Sequence, residues 1–415
     1  MIPAGNVNMG RESAARTIRC LAIMAVAGGC RSESAIVPFV VRDSAGVQIV
    51  ESTEAEWLHA PPWNLSYEPL LAIGGVEAAP EYEFHQIQDA ARLSDGAIVV
   101  ADQGFEEALR VFDRDGTLRN SFGHRGPGPG EFQRIASIER ANADTLVIAD
   151  DGQLRIAFLT HDGTEVRSLA YGRSGSVPPG ALQRHSDGRW VGILTGFAPR
   201  EEPSSPGIYQ IEAALVQMGA TALETDTIGT FPGADIAYID MGGEELVRGV
   251  VPFGRELRFA VADSGAYVGF GAQLSYELWS LEGRLIRSVR AIGPDLTLTD
   301  ADFTRLRDAA LDALPEGEDR AVLNRYLSQL PRPPQRAAYA QMLADAEGNV
   351  WLGPYRSSAG ANGPWHVFGS SGRYLGEIQI PAQLQPYEIG RDYVLGRWRD
   401  ELGVETIRLY ELLKP

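Results

Sequence analysis

The chain has 415 residues, of which 44% are hydrophobic and 22% charged, and its formal net charge is −18. This length allows two or three average domains, or one large closed β-architecture. A surface this acidic repels phosphate backbones, so nucleic acid is not expected as a partner. The two cysteines, Cys20 and Cys30, allow at most one disulfide bridge, which excludes a disulfide-stapled fold.

Residues 1–29 have the pattern of an export signal. Arg11, Arg16 and Arg19 precede the apolar run CLAIMAVAGG, which is too short to cross a bilayer. The ending AVAGGC resembles a bacterial lipoprotein signal, and Cys30 is then the residue that is acylated. The alternative is a plain secretory signal that is cleaved. We predict an exported protein, periplasmic or on the cell surface, held at a membrane through its lipid only.

A repeat of 48 residues follows the N-terminal segment. Phe84 and Phe132 are separated by this interval, and so are Asp102 and Asp150. Each unit reads as four strands with β-branched runs such as AIVVAD and TLVIAD. Four antiparallel strands in about 40–50 residues are typical of a blade of a β-propeller.

Short turns join the strands within each unit. A tight type I′ turn needs positive φ, which Asp-Gly pairs tolerate. The sequence therefore predicts such turns at three Asp-Gly pairs, at residues 95–96, 115–116 and 162–163.

The stretch FGHRGPGPGEF, residues 122–132, is predicted to connect one unit to the next. Glycine permits positive φ and proline fixes the path, so the stretch suits an elbow between an outer strand and the following inner strand. Phe132 is expected to fill the gap between the two units. A phosphate-binding loop would instead need a helix after the glycines and a Lys-Ser/Thr end, which this stretch lacks.

The last unit, after Gln383, supplies only three strands. Residues 65–75 are predicted to pair near 404–411 and to supply the fourth. The fold class is therefore all-β, a six-bladed β-propeller over residues 65–415, preceded by a lead-in segment over 30–64.

Residues 294–334 interrupt the repeat with two amphipathic segments, and Thr299 or Asp300 can cap the first. We predict a helical hairpin that acts as a lid or a docking surface, or that is a neutral insertion. The insertion and the loops 195–207 and 353–366 should lie on the same face as the elbow. The opposite face should carry only tight turns.

The whole pattern resembles a known group. The strand ends and the elbow look like NHL repeats, and the motifs VVRDSAGVQIVES, RLSDGAIVVAD and RGPGPGEF are similar to those of bacterial six-bladed β-propeller lipoproteins. The resemblance implies the fold and the export route, but it implies no catalytic set.

Candidate site residues follow from strand ends and loops. Asp102 and Asp150 end equivalent strands and could hold a divalent cation such as calcium, or else accept backbone amides. No other cofactor is expected, and no zinc or nucleophile motif is present. Candidate ligand-binding residues carry aromatic or hydrogen-bonding groups on one face: His85, Arg134, Tyr355, Arg356, Trp365 and His366.

Two functions remain open. The first is a binding or scaffold module for a protein, peptide or glycan ligand. The second is a propeller enzyme, similar to a divalent-metal lactonase or a lyase, with its site at the central channel. Fold alone cannot choose between them, and no catalytic residue is identified.

Overall fold

The structure is a computed structural model of the chain. It describes residues 38–104, 106–142, 145–171, 180–195, 203–219, 225–243, 245–312, 314–315, 317–357, 360–361 and 363–415. The predicted signal, with Cys30, lies outside the described residues, and so does most of the loop 195–207. Within the described part, no helix has the length and apolar character needed to span a bilayer.

The described residues are mostly β-strand. Four short strands come first, before the repeat: β1 (Phe39–Ser44), β2 (Val47–Ser52), β3 (Asn64–Leu65) and β4 (Leu71–Ile73). Short 3-10 helices are present at Glu56–Leu58 and Pro80–Tyr82.

Three sheets follow in chain order. Sheet 1 consists of four antiparallel strands: β5 (Ile87–Arg92), β6 (Ile98–Asp102), β7 (Glu107–Phe112) and β8 (Leu118–His124). Sheet 2 has the same order: β9 (Ile135–Asn142), β10 (Thr145–Asp150), β11 (Arg155–Thr160) and β12 (Glu165–Ala170). Sheet 3 has five strands: β13 (Gly180–Arg184), β14 (Trp190–Thr195), β15 (Gly207–Met218), β16 (Thr225–Ile239) and β17 (Val247–Val250).

The second half of the chain forms three more sheets. Sheet 4 contains β18 (Arg258–Ala262), β19 (Gly265–Gly269), β20 (Ser275–Trp279) and β21 (Leu285–Ala291). Sheet 5 contains β22 (Gln341–Ala344), β23 (Val350–Gly353), β26 (Trp365–Phe368) and β27 (Tyr374–Ile378), with the small pair β24 (Arg356–Ser357) and β25 (Gly360–Ala361) in its loop. Sheet 6 contains β28 (Leu384–Ile389), β29 (Tyr393–Arg399) and β30 (Glu405–Leu413).

The N-terminal strands complete the late sheets. In the predicted closing pair, Ile73 of β4 lies opposite Ile407 of β30, so the pairing of residues 65–75 with the last strand is confirmed. The β1–β2 hairpin joins the outer strand β21 in parallel and extends sheet 4 to six strands. The predicted propeller starts at residue 65, whereas β1 and β2, in the predicted lead-in 30–64, already belong to a sheet.

Hairpin turns occupy the predicted Asp-Gly positions, but their predicted type I′ geometry is wrong. Gly96 has φ of 89°, whereas Asp95 is not among the residues with positive φ. The Asp95 carboxylate instead accepts the backbone N–H of Ala97 at 3.0 Å, which favours a turn with one left-handed residue at its end. Asp115 and Asp162 make the same contact two residues ahead.

The elbow connects β8 to β9, as predicted. Phe132 is 2% exposed and packs in a cluster with residues of both sheets 1 and 2, including Leu109 and Ile148. Phe84, its counterpart one repeat earlier, packs with Ile407 of sheet 6. These two phenylalanines therefore fill equivalent gaps between neighbouring sheets.

Two helices lie inside the predicted insertion: α1 (Asp300–Asp312) and α2 (Glu318–Gln329). Thr299 precedes α1, and its hydroxyl donates to the Asp302 carboxylate at 2.7 Å. The base of the insertion is closed by the bond from Leu298 N–H to the Pro334 carbonyl at 3.1 Å. The insertion is therefore a helical hairpin whose two ends meet.

Candidate functional site

The first strands of the six sheets contact one another in cyclic order. β5 contacts β9, and the series continues through β13, β18, β22 and β28, which contacts β5 again. Together they enclose a cavity of about 610 Å³, the central channel. Its polar lining comes from several of these strands: Gln88, Asp89, Arg92, Ser137, Glu139, Arg140, Gln183, Arg258, Gln341, Gln385, Tyr387 and Glu388.

Carboxylates in the channel wall join neighbouring first strands. Asp89 accepts the backbone N–H of Ile138 at 2.7 Å, and so links sheet 1 to sheet 2. Glu139 accepts the backbone N–H of Arg184 at 3.0 Å, and so links sheet 2 to sheet 3. These bonds use acceptor groups of one strand to satisfy donors at the edge of the next.

Glutamine amides join strands further around the channel. Gln183 accepts the backbone N–H of Val261 at 2.9 Å and joins sheet 3 to sheet 4. Gln385 donates to Gln341 at 2.8 Å and joins sheet 6 to sheet 5. The channel wall is therefore cross-linked by uncharged as well as acidic side chains.

Burial changes the acidity of two channel carboxyls. It raises the pKa of Asp89 to about 7, and the negative charge of Glu388 adds to the rise. It raises the pKa of Glu139 to about 8, with a smaller contribution from Asp89. Backbone hydrogen bonds oppose both shifts but are outweighed by desolvation. Glu139 is therefore largely protonated near neutral pH, whereas Asp89 is close to the midpoint of its titration.

The paired aspartates from the repeat are buried and accept backbone hydrogen bonds. Asp102 accepts the N–H of Gln86 at 2.8 Å and pairs with Arg110 at 2.6 Å. Asp150 accepts the N–H groups of Gln133 and of two residues in the following turn. Among the described residues, no group of three His, Cys, Asp or Glu side chains is arranged to hold a metal ion.

The other predicted site residues do not form one cluster. His85 is exposed, and Arg134 is exposed and pairs with Asp151. Trp365 is 1% exposed within β26, and the neighbouring His366 is also buried, with its Nδ1 2.9 Å from the Tyr374 hydroxyl. Burial lowers the pKa of His366 to about 4.

Tyr355 and Arg356 lie in the loop of sheet 5 next to the helical insertion. The ring of Tyr355 is 5.1 Å from that of Phe253, which is 5.9 Å from Phe303 of α1. Arg356 donates to the carbonyls of Leu384 and Ala382. An aromatic contact thus connects the loop, the insertion and the connection from sheet 3 to sheet 4.

The channel carboxyls were not among the predicted site residues. The sequence did indicate two other residues of the channel wall. Arg92 and Arg140, which both line the channel, are separated by 48 residues, like Phe84 and Phe132. Packing between sheets decides the direction in which a side chain of a first strand points. The sequence repeat alone does not predict that packing.

No family model matches the chain, and no curated protein matches it. Solved structures with a similar fold include a member of the DUF4221 family from Bacteroides vulgatus, with 12% identity over 85% of this chain and 99% of that one and a TM-score of 0.45. A gluconolactonase from Xanthomonas campestris has 14% identity over 85% of this chain and 98% of that one, with a TM-score of 0.41. Likeness at this level assigns neither an activity nor a ligand to this chain.

Proposed function

We propose that this chain is an exported, lipid-anchored six-bladed β-propeller with NHL-like repeats that binds a small polar ligand in its central channel. Export and acylation at Cys30 are supported by the basic, apolar leader and the AVAGGC sequence. The six-bladed arrangement is supported by six sheets whose first strands contact one another in cyclic order.

The observation that carries the binding proposal is the channel itself. Its volume of about 610 Å³ falls in the range of small-molecule sites, roughly 300–1,000 Å³. Its carboxylates and amides already hold neighbouring strands together, so the wall is rigid before a ligand enters. A rigid, polar cavity favours recognition, since little ordering is needed on binding. Short oligosaccharides and peptides are the ligand classes of this size and polarity.

The experiment blocks the channel without touching its hydrogen bonds. Ala136 lines the channel and is exposed to it. Purified wild type, Ala136→Trp and the control Ala170→Trp, on the outer strand β12, are incubated with glycan and tripeptide arrays. Binding by wild type and by Ala170→Trp, but not by Ala136→Trp, is expected. Equal binding by all three would place the ligand elsewhere.

The loop residues remain a second proposed contact. We propose that Tyr355 and Arg356 touch ligands at the end of the channel next to the loop 353–366. The helical insertion is held beside these two residues through Phe253. Four further residues stay proposed ligand contacts: His85, Arg134, Trp365 and His366. Calcium bound by Asp102 and Asp150 also stays a proposal, to be checked by metal analysis of the purified protein.

An enzyme of the lactonase or lyase type is the second candidate function. It is favoured by the raised pKa values of Asp89 and Glu139, because a carboxyl that titrates near neutral pH can act as a general acid or base. Hydrolysis of a lactone panel, measured for wild type and Glu139→Gln, tests it. A rate that does not differ from buffer alone would remove the lactonase form of this candidate.

A further inference from the structure

Three arginines occupy corresponding places at the ends of three successive first strands. Arg92 is the last residue of β5 and Arg184 is the last residue of β13, and each directly precedes a turn that ends in Ser-Asp-Gly. Arg140 in β9 follows Arg92 by one repeat of 48 residues. All three therefore lie at the end of the channel where the first hairpin turns are, the turn-side end.

The side chains of these arginines extend toward the turns. Gly96 and Gly188 are the glycines of these turns, and the place where a Cβ would be attached marks each of them. Nη2 of Arg92 lies 3.9 Å from that place at Gly96, and Nη2 of Arg184 lies 3.7 Å from it at Gly188. Arg140 donates from Nη1 to the carbonyl of Arg92 at 2.8 Å. The guanidinium groups of Arg92 and Arg140 thus border one end of the channel, and Arg184 ends the next first strand, β13, beside Gln183 of the channel wall.

Tyr393 brings two of these arginines together. The Arg92 guanidinium stacks over the Tyr393 ring at 4.5 Å. Burial and the charge of Glu388 raise the pKa of Tyr393, whereas Arg92 and Arg140 both act to lower it. Both positive charges are therefore close to the same ring, although Arg140 comes from the neighbouring sheet.

None of the three arginines belongs to an ion pair among the described residues. Nε of Arg92 and Nε of Arg184 are buried there without a hydrogen-bond partner. The nearby carboxylates do not bond these guanidinium groups. Glu139 accepts the backbone N–H of Arg184, and Glu388 accepts that of Arg92 and the Tyr393 hydroxyl.

We propose that Arg92, Arg140 and Arg184 form a binding site for a multiply charged oxyanion at the turn-side end of the central channel. The chemical class is a ligand with carboxylate, sulfate or phosphate groups. The planar donor fork of arginine matches these groups, and unpaired donors gain most from such a ligand. The site does not depend on which ligand the rest of the channel binds.

The site is local, because the chain as a whole repels anions with its net charge of −18. From its sequence, this face is expected to carry only tight turns, which are too short to shape a pocket. Here the pocket is shaped by side chains of the first strands instead. Three groups facing the arginines oppose an anion when they are ionised: Asp89, Glu139 and Glu388.

The experiment uses isothermal titration calorimetry at low ionic strength with citrate, sulfate and phosphate as separate probes. The proteins are wild type, the triple variant Arg92→Gln/Arg140→Gln/Arg184→Gln and the control Arg284→Gln. Arg284 is exposed in the turn between β20 and β21 and has no described ion pair. It reports any general effect of losing a surface cation.

We expect at least one probe to bind wild type and Arg284→Gln equally, and the triple variant at least about tenfold more weakly. The preferred probe distinguishes carboxylate from sulfate or phosphate ligands. Equal affinity for wild type and the triple variant would overturn the proposal, and so would the absence of heat with all three probes. If the triple variant does not fold, Arg140→Gln alone, at an exposed position, must weaken binding for the proposal to stand.

Discussion

Glu388 accepts the backbone N–H of Arg92 at 2.7 Å. This bond joins β28, the first strand of sheet 6, to β5, the first strand of sheet 1. The two residues are 296 positions apart in sequence. Glu405 makes a second contact across the same boundary, to the N–H of Ile87 at 2.8 Å. The two ends of the chain are thus held together by side chains as well as by the β4–β30 pair.

Replacing Glu388 with alanine should destabilise the fold. The change leaves the Arg92 N–H without its acceptor, which typically costs about 1–3 kcal/mol. Glu388→Gln keeps an acceptor oxygen and should cost less. Urea unfolding measures both, with Glu401→Ala, at an exposed position in the turn between β29 and β30, as control. A loss in Glu388→Ala no larger than in the control would contradict the closing role of this carboxylate.

The stability of the protein should fall as the pH rises through neutral. Asp89 and Glu139 have folded-state pKa values of about 7 and about 8, above their ordinary values of 3.8 and 4.5. The folded chain therefore binds protons that the unfolded chain releases, and this contribution is complete below about pH 4 and lost as pH passes about 7–8. The measurement is the melting temperature at about pH 5 and about pH 9.

The double variant Asp89→Asn/Glu139→Gln tests the cause of that pH dependence. Both amides keep an acceptor oxygen for the neighbouring strand but do not titrate. The difference in melting temperature between the two pH values should therefore be smaller in the variant than in wild type. An unchanged difference would show that other groups produce it.

Phe132→Ala should be among the most damaging single substitutions in the elbow. The side chain is 2% exposed between sheets 1 and 2, and removing a buried phenylalanine costs about 3–5 kcal/mol. Phe122→Ala, at a partly buried position against the same cluster, should cost less. Equal losses in thermal or urea unfolding would argue against Phe132 as the residue that fills the gap between the sheets.

Replacing residues 299–330 with a short glycine linker should leave the sheets folded. The bond from Leu298 N–H to the Pro334 carbonyl shows that the ends of the insertion are close. The deletion uncovers Phe253, so a modest fall in melting temperature is expected. Binding to any glycan or peptide identified on the arrays should change. If affinity is unaltered while circular dichroism stays that of a β protein, the insertion is neutral for binding.

Cys30→Ser should move the protein out of the membrane fraction. The lipoprotein interpretation makes Cys30 the acylated residue and removes Cys20 with the signal, so Cys20→Ser is the matched control. Labelling with a radioactive fatty acid should mark wild type and Cys20→Ser but not Cys30→Ser. A Cys30→Ser protein that is still labelled would exclude this anchor.

The sequence alone determined the repeating unit of the fold. The interval of 48 residues, the elbow at 122–132, the closing strand and the helical insertion were all readable, because each depends on local patterns of glycine, proline and alternating apolar residues. The type of the hairpin turns was not, since the Asp95 carboxylate bonds to the N–H of Ala97 and only Gly96 takes positive φ.

The tertiary structure decided where chemistry can occur. Asp89 and Glu388 are far apart in sequence and look like ordinary strand carboxylates, yet the closure of sheet 6 onto sheet 1 places both in the channel and lets one raise the pKa of the other. Trp365 and His366, which the sequence suggested for a loop, are buried inside β26 instead. The burial of a side chain and the charged groups around it are set by contacts between segments that are distant in sequence. The pattern within one repeat does not specify those contacts.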